Sequence, residues 1–573
     1  MVAYDLETDP IKAGTPRPRY ITAYGSDFRF SERIKSTAHL RRMLIDHFLT
    51  EDRQGTAYVA WNGNRFDCYF IAAALIQQDE YLIRPFLTSS GAVRGLLVTV
   101  REDGDKRTGR RWSFLDGMSM LGLPGLSLEK FLAVFAPDHK KLSGAINWEA
   151  GEVFDADNPA HIAYADRDAE GLYHAMTRAA QIIYDNFEEP LRATVGSCCI
   201  RILTKSLPAK VEIDALTADA MDVCRQYVVR GGYCVIMRAY RGPVWKYDIN
   251  QAYAASMREA DLPCGGMLRG RGKPHPSTVA YMVRITARNP RNKVPFYHRV
   301  RRGERIVSTF SLTEIEDTWI TGIEHRQLIS EGWEIECHGC WEWARTFRLT
   351  DYVDRLERLR TTAEGGPSGP IGLMVKAVGN NSFGKTLEHA LPIDFMFASE
   401  CPDGVWESYY GNSAAPIDHV YYRIEPRKPK PYHQPQIGAH ITAHTRMVLR
   451  RAALLAPDSF LYADTDCIMY DRDMTAQLDI DPKRYGAWKI EEEGAPYQLI
   501  AKKVYRALDD SKRSAKGMRV RELSADDFER WAEGDVPEQH QVQLLGLLGV
   551  LNGDQMYRTQ TRKGTSVKQG DMA

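Results

Sequence analysis

Three short acidic strings fall in the first third of the chain: YDLETD with Asp5 and Glu7, WNGNRFD ending at Asp67, and YADRD ending at Asp168. Carboxylate oxygens are the ligands that hard Mg²⁺ prefers. Two such ions about 3.5–4 Å apart stabilise the attacking and leaving oxygens of an in-line displacement at phosphorus. A second set follows, with Asp248 in KYDINQAY and Asp464 and Asp466 in YADTD. Any one string alone reads equally well as a helix cap or a turn. Their ordered recurrence points instead to two separate sites, each holding two Mg²⁺ or Mn²⁺ ions and each acting on phosphodiesters.

The elements that must position these groups alternate between strand and helix, an α/β pattern. Strand-like runs cover Met1 to Leu6, Tyr58 to Trp61 and Leu96 to Val100, and Thr37 to Leu49 reads as a helix. Asp5 and Glu7, two apart on the first strand, share one face; Tyr164 and Asp168, four apart in a helical stretch, also share one. A second α/β unit begins near residue 190. In it Tyr247 to Ile249 end a strand, Ala252 to Glu259 form a helix, residues 439–456 form another, and Phe460 to Tyr470 form a hairpin with the DTD turn at its tip. Lys376 and Asn380 lie four apart on a further helix face. Pro-, Gly- and Arg-rich segments at 261–350 and 386–435 interrupt this unit, the second ending in the basic run PRKPKP.

The chain of 573 residues is too long for one core, and 44% apolar residues are ample for several. Lys plus Arg and Asp plus Glu each number 75, so net charge does not announce a nucleic-acid partner. A local basic stretch from Arg284 to Arg305, carrying Phe296 and Tyr297, offers a track for a phosphate backbone. No apolar run is long enough for a membrane span, and Asp5, Glu7 and Asp9 stand where a secretory signal would be basic and then apolar. Ten cysteines read as reduced thiols of a cytoplasmic protein. The lone Cys337-x-x-Cys340 pair has no second ligand pair at zinc spacing, and Cys198 and Cys199 read as buried small residues.

The first three strings resemble the three motifs of proofreading 3′–5′ exonucleases. That resemblance implies that Asp5, Glu7, Asp67 and Asp168 hold two ions, that Tyr164 orients the attacking water, and that Asn62 and Phe66 position the terminal nucleotide. Lys140 and Lys141 are both candidates for the lysine that accompanies the third motif. The second set resembles the A, B and C motifs of family B DNA polymerases. Asp248 and Asp466 would then be bridging metal ligands with Asp464 assisting. Tyr253 would lie beneath the incoming sugar; Lys376, Asn380 and Phe383 would form the nucleotide site, with Arg360 adding a phosphate contact. Lys503 and Tyr505 resemble the KxY primer-terminus motif, and Arg230, Gly231 and Gly232 the template-binding linker. The resemblance spans almost the whole chain. Its two insertions look like those of the protein-primed subgroup of podoviral and tectiviral replicases, which implies a terminal protein as partner, strand displacement, and a viral or mobile-element genome in a bacterial cytoplasm.

The fold expected is therefore an α/β multidomain chain: an RNase H-like exonuclease domain (1–185), a palm in two parts (186–260 and 436–520), insertions at 261–350 and 386–435, fingers (351–385) and a thumb (521–573). Motif A reads DINQAYA, with Gln251 and Ala254 in place of the family's usual residues; Phe383, Cys467 and Val229 are further departures, and none removes a metal ligand. Two rivals are an exonuclease with an inactive polymerase half and a P-loop NTPase. The latter arises because GNNSFGKT, Gly379 to Thr386, fits the phosphate-loop pattern, which requires a preceding strand and a following helix.

Overall fold

The computed structural model describes the chain apart from residues 77–79, 88–92, 101–109, 143, 147–151, 210, 389–392, 398–406, 409–419, 425–429, 552 and 566–573. Two seven-stranded sheets organise it. The first lies in the N-terminal part. The strand Val2–Thr8 runs near its middle, antiparallel to Pro18–Tyr24 and parallel to Ala57–Ala60, which in turn pairs in parallel with Arg111–Asp116. Tyr4 and Leu6 are buried on one face of the first strand, as strand alternation requires, while Asp5 and Glu7 take the other. That second face is covered by the helix Pro159–Phe187. Asn158 caps this helix by accepting from the Ala160 amide, and Pro159 supplies a first-turn residue with no amide hydrogen to satisfy.

The second sheet has Tyr240–Ile249 at its centre, between Cys467–Tyr470 and the long strand Trp488–Ala501. The helices Ala252–Glu259 and Pro435–Leu455 pack with it. The expected hairpin is present as Phe460–Asp464 and Cys467–Tyr470, turning at Thr465, whose φ of 66° is left-handed. Between the halves of this unit, Leu262–Gly270, Glu334–Phe347, Tyr281–Arg288 and Glu314–Thr321 form a four-stranded sheet, and Phe296–Arg302 pairs with Arg305–Ser311. Ile393–Phe397, Val420–Ile424 and Glu407–Ser408 form a small sheet in the second insertion. Most of the basic run PRKPKP falls outside the described residues.

One core crosses from the N-terminal unit into the rest: Trp61, Phe131 and Met176 belong to the same buried cluster as Cys199, Met374, Val378 and Met257. A second crossing comes from the C-terminal side. The hairpin Glu538–Leu544 with Tyr557–Lys563 returns to the N-terminal sheet, where Gly14 and Tyr557 exchange backbone hydrogen bonds of 2.7 and 2.9 Å. Leu547, Leu551, Met556 and Tyr557 are buried in the same cluster as Tyr4, Tyr58 and Phe114. Among the described residues no helix is long and apolar enough to cross a membrane.

Candidate functional site

The N-terminal carboxylates converge. Oxygens of Asp5, Glu7 and Asp168 lie within 4.8 Å of one another, where the strand Val2–Thr8 faces the helix Pro159–Phe187. Asp67 opens the helix Asp67–Leu75 and is buried; its Oδ1 accepts the Leu6 amide at 3.1 Å, between the two strand carboxylates. It therefore fixes the strand that carries Asp5 and Glu7, with Asp5 as its nearest charged neighbour. Burial, then the neighbouring Asp168, pushes Asp5 up to about 7. Burial, then Asp5 and Asp168, pushes Glu7 up to about 9. Asp67 is raised well above the carboxylate range by burial and then by Asp5. One oxygen of Asp168 is buried with no hydrogen-bond partner. A pocket of acids that retain protons at neutral pH lacks positive charge, and a divalent cation with oxygen ligands fits that deficit.

Of the two candidate lysines, the structure brings in Lys141, whose ammonium lies 2.6 Å from Asp168 Oδ2 and 4.6 Å from the centre of the Tyr164 ring. Burial works against that charge, but Asp168 and Tyr164 together hold its pKa above the ordinary value. Tyr164 is pushed up to about 12 by burial and then by Asp168, so it is a neutral hydroxyl beside the trio. Asn62 adopts a left-handed φ of 65°, and Phe66 meets Phe70 edge-on at 5.3 Å. Sequence reasoning missed Asp116. It is buried beside Asp67, caps the helix Gly117–Leu121 and accepts from the Ser119 amide and hydroxyl at 3.1 and 2.7 Å. Its only sequence signal is an Asp-Gly step after a strand, which reads as a turn.

At the central sheet, Asp248 stands opposite Cys467 on one neighbouring strand and Lys489 on the other. Lys489 Nζ lies 3.0 Å from Asp248 Oδ1, and 3.4 Å from Glu491, which also pairs with Lys246 at 2.7 Å. Burial, then the facing Asp248, pushes Asp466 up to about 6. Here too a cation fits: two partly buried carboxylates lie close together, and both are raised above the ordinary carboxylate value, burial first. Asp464 is turned to other partners, with Lys503 Nζ at 3.0 Å and the Tyr462 hydroxyl donating at 3.2 Å. Gly232 is what admits this turn. A Cβ there would sit 2.6 Å from Thr465 Oγ1 and 2.8 Å from its Cα, whereas one on Gly231 would meet nothing within 4 Å.

Tyr253 packs against Phe383 with ring centres 4.5 Å apart and ring planes tilted by 36°, tying the helix Ala252–Glu259 to the end of the helix Pro370–Ser382. Lys376 and Asn380 are exposed on that second helix. They line a cleft of about 1460 Å³ whose opposite wall includes Asn62, Asn64 and Arg65 of the N-terminal unit. Tyr505 packs between Tyr462 and Tyr497 at 5.8 and 6.3 Å.

Three expectations need correction. Arg230 does not present its guanidinium to a ligand: it is buried, 2.5 Å from the buried Glu324, which also holds Arg446 at 2.9 Å. Burial lowers its pKa to about 10 even with Glu324 beside it. Arg360 needs no such correction: its Nε is buried near Tyr485 and makes no hydrogen bond. The basic stretch is matched in part by acids: Arg284 pairs with Asp317 at 2.5 Å and Arg288 with Glu314 at 3.5 Å on the neighbouring strand, Lys293 with Asp458 at 2.9 Å, and Arg302 with Glu316 of the adjoining sheet. Lastly, Gly379 to Ser382 lie inside the helix Pro370–Ser382 and are followed by a single 3₁₀ turn, Gly384–Leu387. A phosphate loop needs a strand before it and a helix after it. Neither is there, and Lys385 is engaged with Glu388 at 2.7 Å.

Residues 156–389 match the family described as DNA polymerase type B, organellar and viral. A probable DNA polymerase of Ascobolus immersus is 22% identical over 365 residues, 61% of this chain and 30% of that protein. The DNA-directed DNA polymerase of Enterobacteria phage PRD1 is 29% identical over 170 residues, 28% of this chain. The chain spans about a third of the length of each of these relatives. Among solved structures, phi29 DNA polymerase complexed with primer-template DNA and incoming nucleotide substrates is 16% identical, with a TM-score of 0.72 over 99% of both chains. The same polymerase complexed with single-stranded DNA gives 0.70 over 99% of this chain. The overall fold is thus that of phi29 DNA polymerase.

Proposed function

We infer, from a chain whose residues 156–389 fit the organellar and viral type B DNA polymerases, that the protein is a template-directed DNA polymerase with a separate 3′–5′ exonuclease site. One observation carries the polymerase reading: the strand pairing that sets Cys467 opposite Asp248, and the Ile249 amide on the Asp466 carbonyl, bring Asp248 and Asp466 together, while the contact of Tyr253 with Phe383 joins the next helix to that of Lys376. Divalent ions, when bound, neutralise charge developing on the phosphoryl oxygens. Asp248 and Asp466 are the residues to hold them; burial raises the Asp248 carboxyl, and Lys489 beside it works against that rise. Lys376 and Asn380 hold the triphosphate by charge and amide, Tyr253 floors the sugar, and Lys503 and Tyr505 hold the primer end. Gly231 leaves open backbone for the template, while Arg230 anchors that linker from within.

At the N-terminal site, Asp5, Glu7, Asp67 and Asp168 are the ion ligands, and Asp67 also holds the strand of Asp5 and Glu7 through the Leu6 amide. Lys141 pins Asp168, and the neutral Tyr164 hydroxyl can orient a water for attack on the terminal phosphodiester. Asn62 and Phe66 receive the terminal nucleotide. The domain boundaries stated above accompany this reading. So do its partners: dNTPs, template and primer DNA, and a terminal protein that primes a linear viral or mobile-element genome in a bacterial cytoplasm. The insertions 261–350 and 386–435 serve that protein and strand displacement.

The test is incubation with radiolabelled dNTP, Mg²⁺ and template, with and without a primer, on a gel that separates labelled DNA from labelled protein. Asp466→Ala should abolish incorporation and leave 3′-end degradation, and Asp5→Ala with Glu7→Ala should do the reverse. Loss of both activities in folded Asp466→Ala protein would overturn the two-site reading.

A further inference from the structure

A third cluster of ligand-type side chains lies on the outer side of the helix Pro159–Phe187. Glu170 and His174 are four residues apart on that helix and so share a face. His139, from the turn Pro137–His139, lies against them. Ligand atoms of the three all fall within 4.8 Å of one another, and His139 Nδ1 is 3.8 Å from Glu170 Oε2. That nitrogen is buried and makes no hydrogen bond. The close approach is built into the backbone: a Cβ on Gly171 would meet the His139 carbonyl at 2.7 Å, so only glycine lets the turn lie this near the helix.

We propose that His139, Glu170 and His174 form a transition-metal site, selective for Zn²⁺ over Mg²⁺, on the flank of the N-terminal carboxylate site and separate from it. The donor set decides the metal. Two imidazoles and one carboxylate suit zinc and its first-row neighbours, whereas Mg²⁺ prefers oxygen alone. Ligand bonds of about 2.0–2.2 Å set about 3.4 Å between donors at a tetrahedral angle, so the 3.8 Å gap closes with a shift of about 0.4 Å. The two rings now stack, 4.0 Å apart and 15° from parallel, and their lone pairs lie in the ring planes. Binding therefore requires each ring to turn about its Cβ–Cγ bond, which is open to side chains that are only partly enclosed. Arg167, 3.4 Å from Glu170, would share that carboxylate with the metal. Three protein ligands leave a fourth position for water.

The consequence lies two residues along the chain. Lys141 reaches Asp168 from the segment that the metal would fasten to the helix. Zinc here would hold the lysine in place without touching the carboxylate trio, which makes His139 and His174 positioning residues for the nuclease.

The full-length protein, stripped of metal by chelation, is titrated with Zn²⁺ by calorimetry in excess Mg²⁺, and with Co²⁺ by visible absorption. One equivalent of Zn²⁺ should bind despite Mg²⁺, and Co²⁺ should give the strong bands of four-coordination. His139→Ala and His174→Gln should each weaken binding at least tenfold, while Asp5→Ala with Glu7→Ala keeps it. Zinc that binds no better than Mg²⁺, or binds undiminished in both histidine variants, would overturn the site. So would a signal lost in the Asp5 and Glu7 double variant instead.

Discussion

At the residue scale, the N-terminal acids make a measurable statement about stability. The unfolded chain loses their protons near pH 4. The folded chain keeps one on Asp5 to about 7 and one on Glu7 to about 9. Across that window the folded state binds more protons, so stability falls as pH rises. Denaturant midpoints in EDTA should therefore drop between pH 5 and pH 9, Mg²⁺ or Mn²⁺ should flatten the fall, and Asp5→Asn with Glu7→Gln should reduce it, leaving the part due to Asp67. An unchanged slope in that double variant would place the titration elsewhere. Tyr253 makes a second statement. Its ring rests on Phe383, and Tyr253→Val opens space where a 2′-hydroxyl would otherwise clash. Preference for dNTP over rNTP in single-nucleotide incorporation should fall by roughly tenfold; a preference equal to the parent's would reduce Tyr253 to packing. The carboxylates themselves were legible in the sequence because acids two apart on a strand, or an acid repeated around a turn, have few bland explanations when they recur in order. Lys489 and Asp116 were not, because each acquires its neighbour only through folding: Lys489 through the register of two long strands, Asp116 through a sheet neighbour.

At the element scale, the turn between Asp464 and Asp466 depends on the strand linker beneath it. Gly232 meets Thr465 so closely that Gly232→Ala must push the turn away, and the Thr465 amide, which donates to the Tyr233 carbonyl at 2.9 Å, would move with it. A misplacement near 1 Å at a reacting centre costs roughly 100-fold. Gly232→Ala should thus slow incorporation by tens of fold and spare 3′-end degradation, whereas Gly231→Ala, with open space around it, should do little. Equal effects of the two substitutions on primer extension would refute the packing argument. The same linker shows where sequence reading fails. Arg-Gly-Gly announces a backbone that approaches something closely, and it does. The arginine beside it looked equally available, but its partner Glu324 lies 94 residues away on an inserted helix. Charge in a sequence carries no label for burial or for partners, and part of the Arg284 to Arg305 stretch is likewise taken up, by Glu314, Glu316 and Asp317.

At the scale of the whole molecule, the alternation of strands and helices announced two α/β units, and both sheets appear where the motifs required them. What the sequence did not announce is that residues near 550 complete the core of the first unit. Nothing in LLGLLGVL says which surface it covers. Tyr557 is buried against the N-terminal sheet and shares two backbone hydrogen bonds with Gly14. Tyr557→Ala should cost about 3 kcal/mol by the usual scale for a buried aromatic ring. The loss should appear in unfolding of the N-terminal unit, followed by the emission of its buried Trp112, with 3′-end degradation failing at lower temperature than primer extension. Coincident failure of both activities would mean that the two units unfold as one. This closure also has a temporal side. Thr15 and Met556, which share a hydrogen bond, are 541 residues apart. At roughly 5–20 residues per second of synthesis, the apolar surface around Tyr4, Tyr58 and Phe114 leaves the ribosome on the order of 20 to 90 seconds before the segment that seals it. The nascent N-terminal unit must wait that long with its seam open, a natural station for a chaperone during translation.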